Sequence, residues 1–229
     1  MADPVKSRGY QSPVRQEQAR RTRTAILAAA GHLFTLQGYG ATTVAQIAGD
    51  AGVAVDTVYA AVGPKPAIFR LLLETAISGT DEAVPAEERD YVKAVRATPR
   101  ARDKLRLYAT AVRIVAERMA PLHLVLRDAA AQAPELAMMR QEIATRRAGN
   151  MRLFVRDLLS TGDLRLGLDP EEVADVVWST SAAEFYTLLV RERGWSPDRY
   201  ERWLAGAWCD LLLSAPRRRL SGEAQAVRR

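Results

Sequence analysis

Chemistry in this chain would have to come from few side chains. There are two histidines, His32 and His123, and one cysteine, Cys209. Neither histidine has companions at metal-ligand spacing, so no metal is expected. No Ser-His-Asp arrangement and no phosphate-cradling glycine loop is present, so no catalytic residue and no cofactor is expected either. Cys209 falls in an apolar helical stretch and reads as a small buried residue. A single cysteine suits a reducing cytoplasm. The basic side chains say more. The formal net charge is +6, from 33 basic and 27 acidic residues. Residues 1–24 carry six basic and two acidic side chains, residues 215–229 five and one, and the body between them is slightly acidic. A near-neutral body with a basic arm at each end points to a polyanion partner, although solvated tails would carry the same charge.

The elements that must position these residues read as helices. With 48% hydrophobic and 26% charged residues over 229 positions, the composition is that of a folded chain able to bury a core. No apolar run approaches the roughly 20 residues that span a bilayer, and the first residues lack the apolar stretch of a signal peptide. Apolar residues recur at helical spacing from Arg20 to Leu36, and Gly38 stops that run. Thr43-Val44-Ala45-Gln46 is a capping box, and Gly52 after Ala51 ends the short helix it opens. Val55, Val58, Tyr59 and Val62 make a third helix, closed by Gly63-Pro64, and a fourth runs from about Lys65 to Ser78.

Further on the expectations are coarser. Gly79 to Thr98 reads as a loose boundary region, with Thr98-Pro99 opening the next helix. Pro121 is expected to break it, leaving a separate short helix from Leu122 to Ala131. Pro134 opens a long helix to about Ser160. Asp169-Pro170 and Ser196-Pro197 start the last two, about 169–192 and 197–214. The fold class is all-α, with about nine helices.

The tight turn Asp50-Ala51-Gly52-Val53 between two short helices sets them at a steep angle. Helix-turn-helix units use that angle to offer the second helix to the DNA major groove. Along this stretch Ile26-Leu27-Ala28-Ala29-Ala30, Leu33-Phe34, Gly38-Tyr39, Thr42-Thr43-Val44, Ile47-Ala48, Ala51-Gly52-Val53, Thr57-Val58-Tyr59 and Lys65 follow one another in order and spacing. In this they resemble the DNA-binding domain of TetR/AcrR-family transcriptional regulators.

The resemblance implies a helix-turn-helix domain over residues 20–65, between a basic arm (1–19, expected to be disordered) and a larger helical domain (66–214). That domain would bind a small molecule and dimerise, and 215–229 would be a basic tail. It further implies a repressor released by its effector from a palindromic operator on double-stranded DNA. An activator of the same family, or a helical nucleic-acid binder without sequence preference, stays open at this point.

Thr57 is placed to touch a base edge or a thymine methyl, and Tyr59 to reach a phosphate. Thr42 and Thr43 stand where a helix N-terminus suits a phosphate, and the resemblance gives Lys65 a phosphate contact too. The chain departs from the family pattern at Ala54, which forfeits a cap, and at Ala60-Ala61-Val62. Val55 and Ala60 would read apolar groups, and Asp56 would repel phosphates unless it accepts from a cytosine amine. That leaves more to Arg20, Arg21 and Arg23, in the minor groove or on phosphates.

In the second domain, helical phase nominates Tyr108, Val112, Met119, His123, Met139, Phe154, Trp178, Phe185 and Tyr186 as walls of a pocket for an apolar or aromatic effector. The last helix has a wide apolar face made by Trp203, Leu204, Trp208, Leu211 and Leu212. A face that broad predicts a partner helix, hence a homodimer.

Overall fold

Capping chemistry sets where three of the helices begin. Thr43 Oγ1 accepts from the Gln46 amide at 3.2 Å while Gln46 Oε1 accepts from the Thr43 amide at 2.8 Å. Asp169 accepts from the Glu171 amide and Ser196 from the Arg199 amide, each just before a first-turn proline. A computed structural model describes residues 13–214, so 1–12 of the basic arm and the whole tail 215–229 lie outside the described residues.

The described residues form ten α-helices. They are α1 (Pro13–Ala41), α2 (Val44–Asp50), α3 (Val55–Ala61), α4 (Lys65–Ser78), α5 (Asp90–Ala97), α6 (Ala101–Ala130), α7 (Pro134–Leu159), α8 (Pro170–Thr180), α9 (Ala183–Tyr186) and α10 (Pro197–Leu212). A 3₁₀ turn precedes α5, and α9 continues into a wider π-type segment, Thr187–Glu192. Among the described residues the only β feature is an isolated antiparallel bridge between Leu164 and Leu213.

Five sequence expectations change. The first helix begins at Pro13, so residues 13–19 are helical; Glu17 steadies this turn by pairing with Arg20 and Arg21, three and four residues on. It is interrupted, as expected, at Gly38 (φ 80°).

Pro121 does not break α6. It lacks the amide that would bond the Glu117 carbonyl, yet Ala120 and Leu122 are both buried, and packing carries the helix through.

The loose region contains α5. The buried ammonium of Lys104 caps it, donating to the Val95 and Arg96 carbonyls at 2.9 and 3.1 Å and to Asp157 at 2.8 Å. Thr98 therefore closes α5 rather than opening α6, its hydroxyl donating to the Ala94 carbonyl.

The expected 169–192 helix is split after Thr180. Ser179, Thr180 and Ser181 turn their hydroxyls onto the carbonyls of Val176 and Trp178, and Trp208 Nε1 donates to Thr180 Oγ1 at 2.8 Å.

Two apolar clusters hold the helices. The first gathers Ile26, Phe34, Ile47, Val58, Ile68 and Phe69 of α1–α4. It continues without a break into Leu122 and Leu126 of α6 and Leu136 and Met139 of α7. Each such side chain contributes about 1.5–3 kcal/mol by leaving water. The second packs α6, α7, α8 and α10 around Leu105, Val155, Val177, Tyr200, Leu204 and Trp208. Helix α4 thus seals the small N-terminal bundle and also meets the ends of α6 and α7.

Candidate nucleic-acid interface and effector cavity

Turn geometry builds the first site. The Ala51 amide bonds back to the Ile47 carbonyl, Gly52 takes φ 66°, and the Val53 amide bonds the Ala48 carbonyl at 3.0 Å. Only a residue without a Cβ adopts that φ cheaply, so Gly52 fixes the angle between α2 and α3. Helix α3 then buries one side chain, Val58, completely. Val55, Asp56, Thr57, Tyr59 and Ala60 all stand exposed around it, Tyr59 by 50%. The N-cap Ala54 gives no side-chain hydrogen bond, so the first amides of α3 are not capped from there. Asp56 stands exposed in that first turn, so a carboxylate already occupies the positive end of the helix.

The remaining predicted contacts separate. Thr43 is exposed and caps α2. Thr42 is wholly buried, and its hydroxyl donates to the Gly38 carbonyl at 2.8 Å. It shapes the corner after α1 and its side chain does not reach a duplex, which corrects the expectation for that residue.

Lys65 donates to the carbonyls of Tyr39 and Thr42, both at 3.0 Å, and lies 4.3 Å over the Tyr39 ring. Two of its three protons are thereby engaged within the chain. Arg20 and Arg21 ride on helical turns and not on an extended arm. Arg20 pairs with Glu17 and, at 3.1 Å, with Asp81 beyond α4, and the Asp81 carboxyl is held below its ordinary range by that guanidinium. Arg23 is half-buried and makes no ion pair among the described residues.

The second site is a cavity of about 990 Å³ enclosed by α5 to α9. Tyr108, Val112, Met119, His123, Phe154, Trp178 and Phe185 line it, seven of the nine predicted positions. Met139 does not; it is buried in the first cluster, on the side of α7 turned toward α1–α4. Tyr186 does not either, because its ring packs edge-on against Tyr200 at 5.3 Å in the second cluster.

The Tyr108 ring meets Phe154 at 4.6 Å and Trp208 at 5.6 Å, and burial raises its phenol well above the ordinary value. His123 Nε2 donates to Glu184 at 2.8 Å, both residues lining the cavity. That bond, together with a smaller backbone contribution, outweighs burial and brings the Glu184 carboxyl down to about 2.

Two parts of this wall escaped sequence reasoning. Helix α5, with Tyr91, Val92 and Val95, was missed as a helix and so as a wall. Arg147 was overlooked for its charge, although it stands on the inward stripe of α7 between Ile143 and Phe154. A cation in the phase of buried apolar residues was the available signal.

The apolar face of α10 divides. Leu204, Trp208 and Leu212 are buried by the protomer itself, against α6 and α8, and so are not free for a partner. Trp203 is half-buried against Phe185 and Trp195, and Leu211 is 54% exposed. The width of the face reflects the chain's own bundle. No helix among the described residues is long and apolar enough to cross a membrane, and those residues hold no cluster of three or more potential metal ligands.

Residues 26–70 match the family model of bacterial regulatory proteins, tetR family. No curated protein sequence matches the chain significantly. Among solved structures, FadR of Bacillus subtilis, determined in complex with stearoyl-CoA, is 21% identical with a TM-score of 0.65, covering 81% of this chain and 96% of its own. A transcriptional regulator from Saccharomonospora viridis, in complex with choline, is 18% identical with a TM-score of 0.65, covering 87% and 100%. NalD of Pseudomonas aeruginosa, described as the secondary repressor of the MexAB-OprM multidrug efflux pump, is 22% identical with a TM-score of 0.61, covering 86% and 97%. At these identities the likeness is one of fold.

Proposed function

Residues 26–70 carry the N-terminal domain of the tetR family of bacterial regulatory proteins, and on that premise we propose that the chain is a sequence-specific, DNA-binding transcriptional regulator. It is a cytoplasmic homodimer that represses from a palindromic operator and is released by a small effector. The observation that carries the reading is α3, where one buried valine anchors a helix whose five neighbouring side chains all face out. On this reading Thr57 and Tyr59 contact base edges and phosphate, with Val55 and Ala60 against thymine methyls. Thr43, Asp56 and the third proton of Lys65 complete the surface, and Arg20, Arg21 and Arg23 hold phosphates beside it. Two copies related by a two-fold axis match two half-sites, and Leu211 and Trp203 on α10 belong to the contact between them.

The effector occupies the α5–α9 cavity. It acts by favouring a dimer in which the two α3 helices no longer fit successive grooves, which requires different affinities for the two states. Helix α7 offers a route: it lines the cavity, Arg146 included, and it is tied to α4 through Arg70–Glu142 at 2.9 Å and Arg146–Glu74 at 2.5 Å. The repressor in the NalD description and the bound small molecules of the other two structures support this reading.

Selection of bound fragments from genomic DNA at near-physiological salt tests it. Enrichment of a palindrome, lost on Tyr59→Ala, is the expected result. Uniform recovery with a steep salt slope would indicate a binder without sequence preference and would overturn the proposal.

A further inference from the structure

The effector cavity is charged as well as apolar, and the sign of its charge restricts what it can hold. Six arginines line it against three carboxylates, Glu87, Asp157 and Glu184. Asp157 already receives Lys104 at 2.8 Å and Glu184 receives His123 at 2.8 Å. Of the arginines, only Arg127 and Arg146 have acids of their own, Asp128 and Glu74. Arg89, Arg96, Arg140 and Arg147 make no ion pair among the described residues; Arg96 and Arg140 are exposed, and Arg89 and Arg147 are half-buried.

Arg147 is the best prepared of the four. It is half-buried, and its guanidinium stacks 5.3 Å from the Trp178 ring. Its Nη2 donates to the Trp178 carbonyl at 2.9 Å and to Ser181 Oγ at 3.3 Å. Both acceptors are neutral and both take the same nitrogen, so the group is fixed in plane while Nε and Nη1 have no acceptor among the described residues. Beside it the indole N–H of Trp178 is buried without a partner. A planar fork held this way fits an anionic oxygen head bidentately, and partial burial strengthens the attraction.

Resting on the reading of this cavity as the effector site, we propose that the effector is an amphiphilic organic anion. Its oxyanion head is held by Arg147, and its apolar body lies along Val112, Met119 and Phe154. A cationic effector such as the choline of the Saccharomonospora structure is disfavoured here, because Arg147 already covers the Trp178 ring and the unpaired wall charge would repel it.

Calorimetric titration of the full chain with three ten-carbon probes, decanoate, decanol and decyltrimethylammonium, decides the matter. Decanoate is expected to bind at least about tenfold more tightly than decanol, with the ammonium weakest. Arg147→Gln should bring decanoate down to the level of decanol and leave decanol unchanged. Decanol or the ammonium binding as tightly as decanoate overturns the proposal, as does the absence of binding by all three or a decanoate preference that survives Arg147→Gln. If that variant does not fold, the comparison on the unaltered chain is sufficient. DNA plays no part in this readout. Anion-selective binding without any change in operator affinity would fault the regulatory reading alone, whereas loss of anion selectivity faults only the present one.

Discussion

The Lys65 ammonium stands 3.0 Å from the Tyr39 carbonyl and 4.3 Å from the centre of the same residue's ring. The first residue of α4 thereby closes the corner after α1, with the Thr42 carbonyl as its other acceptor at 3.0 Å. The ring it covers is stacked on Phe34 and meets Phe69 edge-on, and burial pushes its phenol up to about 12. Lys65 is therefore a structural residue, whatever share the proposed phosphate contact takes of its third proton. Lys65→Met should lower the unfolding free energy of the DNA-free protein by about 1–2 kcal/mol, read from urea denaturation. A variant as stable as the parent would assign the ammonium to DNA alone.

Tyr59 is the opposite case. It is half exposed on α3, and its hydroxyl has no hydrogen bond among the described residues. Tyr59→Phe and Tyr59→Ala should leave stability within about 0.5 kcal/mol of the parent, as for surface positions generally. Operator affinity should fall in both, more steeply in Tyr59→Ala. Thr43→Ala, by contrast, should cost about 1 kcal/mol through the lost cap on α2, whether or not DNA is present. A Tyr59→Ala variant that unfolds easily would remove this residue from the reading surface.

The helices that the sequence disclosed are those whose ends carry their own chemistry, such as Thr43 with Gln46, Gly52, Asp169 with Pro170, and Ser196 with Pro197. Local signals fail where a distant residue decides. Lys104 caps α5 from another helix, and the local end signal, Thr98, reads in sequence as the start of the next helix because Pro99 follows it. Pro121 reads as a stop in one dimension, but burial on both sides of it keeps α6 whole. Helical phase found seven of the cavity's side chains because inward faces are periodic. It cannot say which of two clusters an inward residue joins, and so Met139 and Tyr186 were misplaced. The same limit misassigned Leu204, Trp208 and Leu212, since a face covered by the chain's own α6 is as wide as one covered by a partner.

The two ion pairs between α4 and α7 should not be equal. The arginines are equally exposed, Arg146 and Arg70 each keeping 44% of their side-chain surface, but Glu74 keeps 15% where Glu142 keeps 56%. Screening by water leaves little to the second pair. A double-mutant cycle on Arg146 and Glu74, each to Ala, should give a coupling of about 0.5–1 kcal/mol in urea unfolding, and the cycle on Arg70 and Glu142 none that is measurable. Equal couplings would mean that exposure does not rank these contacts. If α7 carries the effector signal, the Arg146–Glu74 cycle should also show coupling in operator affinity.

The pair on the cavity wall, His123 and Glu184, sets a pH dependence whose sign can be worked out. In the unfolded chain the Glu184 carboxyl titrates near its ordinary 4.5, and in the folded chain at about 2. The folded value is the lower one, so the unfolded state binds the extra proton as acid is added. The stabilisation is complete above about 4.5 and is lost as pH falls toward about 2. Glu184→Gln keeps an oxygen to accept from His123 Nε2 and removes the titration. The stability difference between parent and variant should therefore be greatest at neutral pH and shrink steadily through that window. Other carboxylates are also lowered on folding, among them Glu201 beside Thr110 and Arg113 and Asp81 beside Arg20, so the difference between the two proteins is the readout and not either curve alone. A difference that is flat from neutral pH down to about pH 3 would show that the contact does not hold Glu184 ionised. Glu184 opens the short α9 on the cavity wall, so the same comparison by hydrogen exchange should find the amides of the segment after it less protected in acid in the parent, and indifferent to pH in Glu184→Gln.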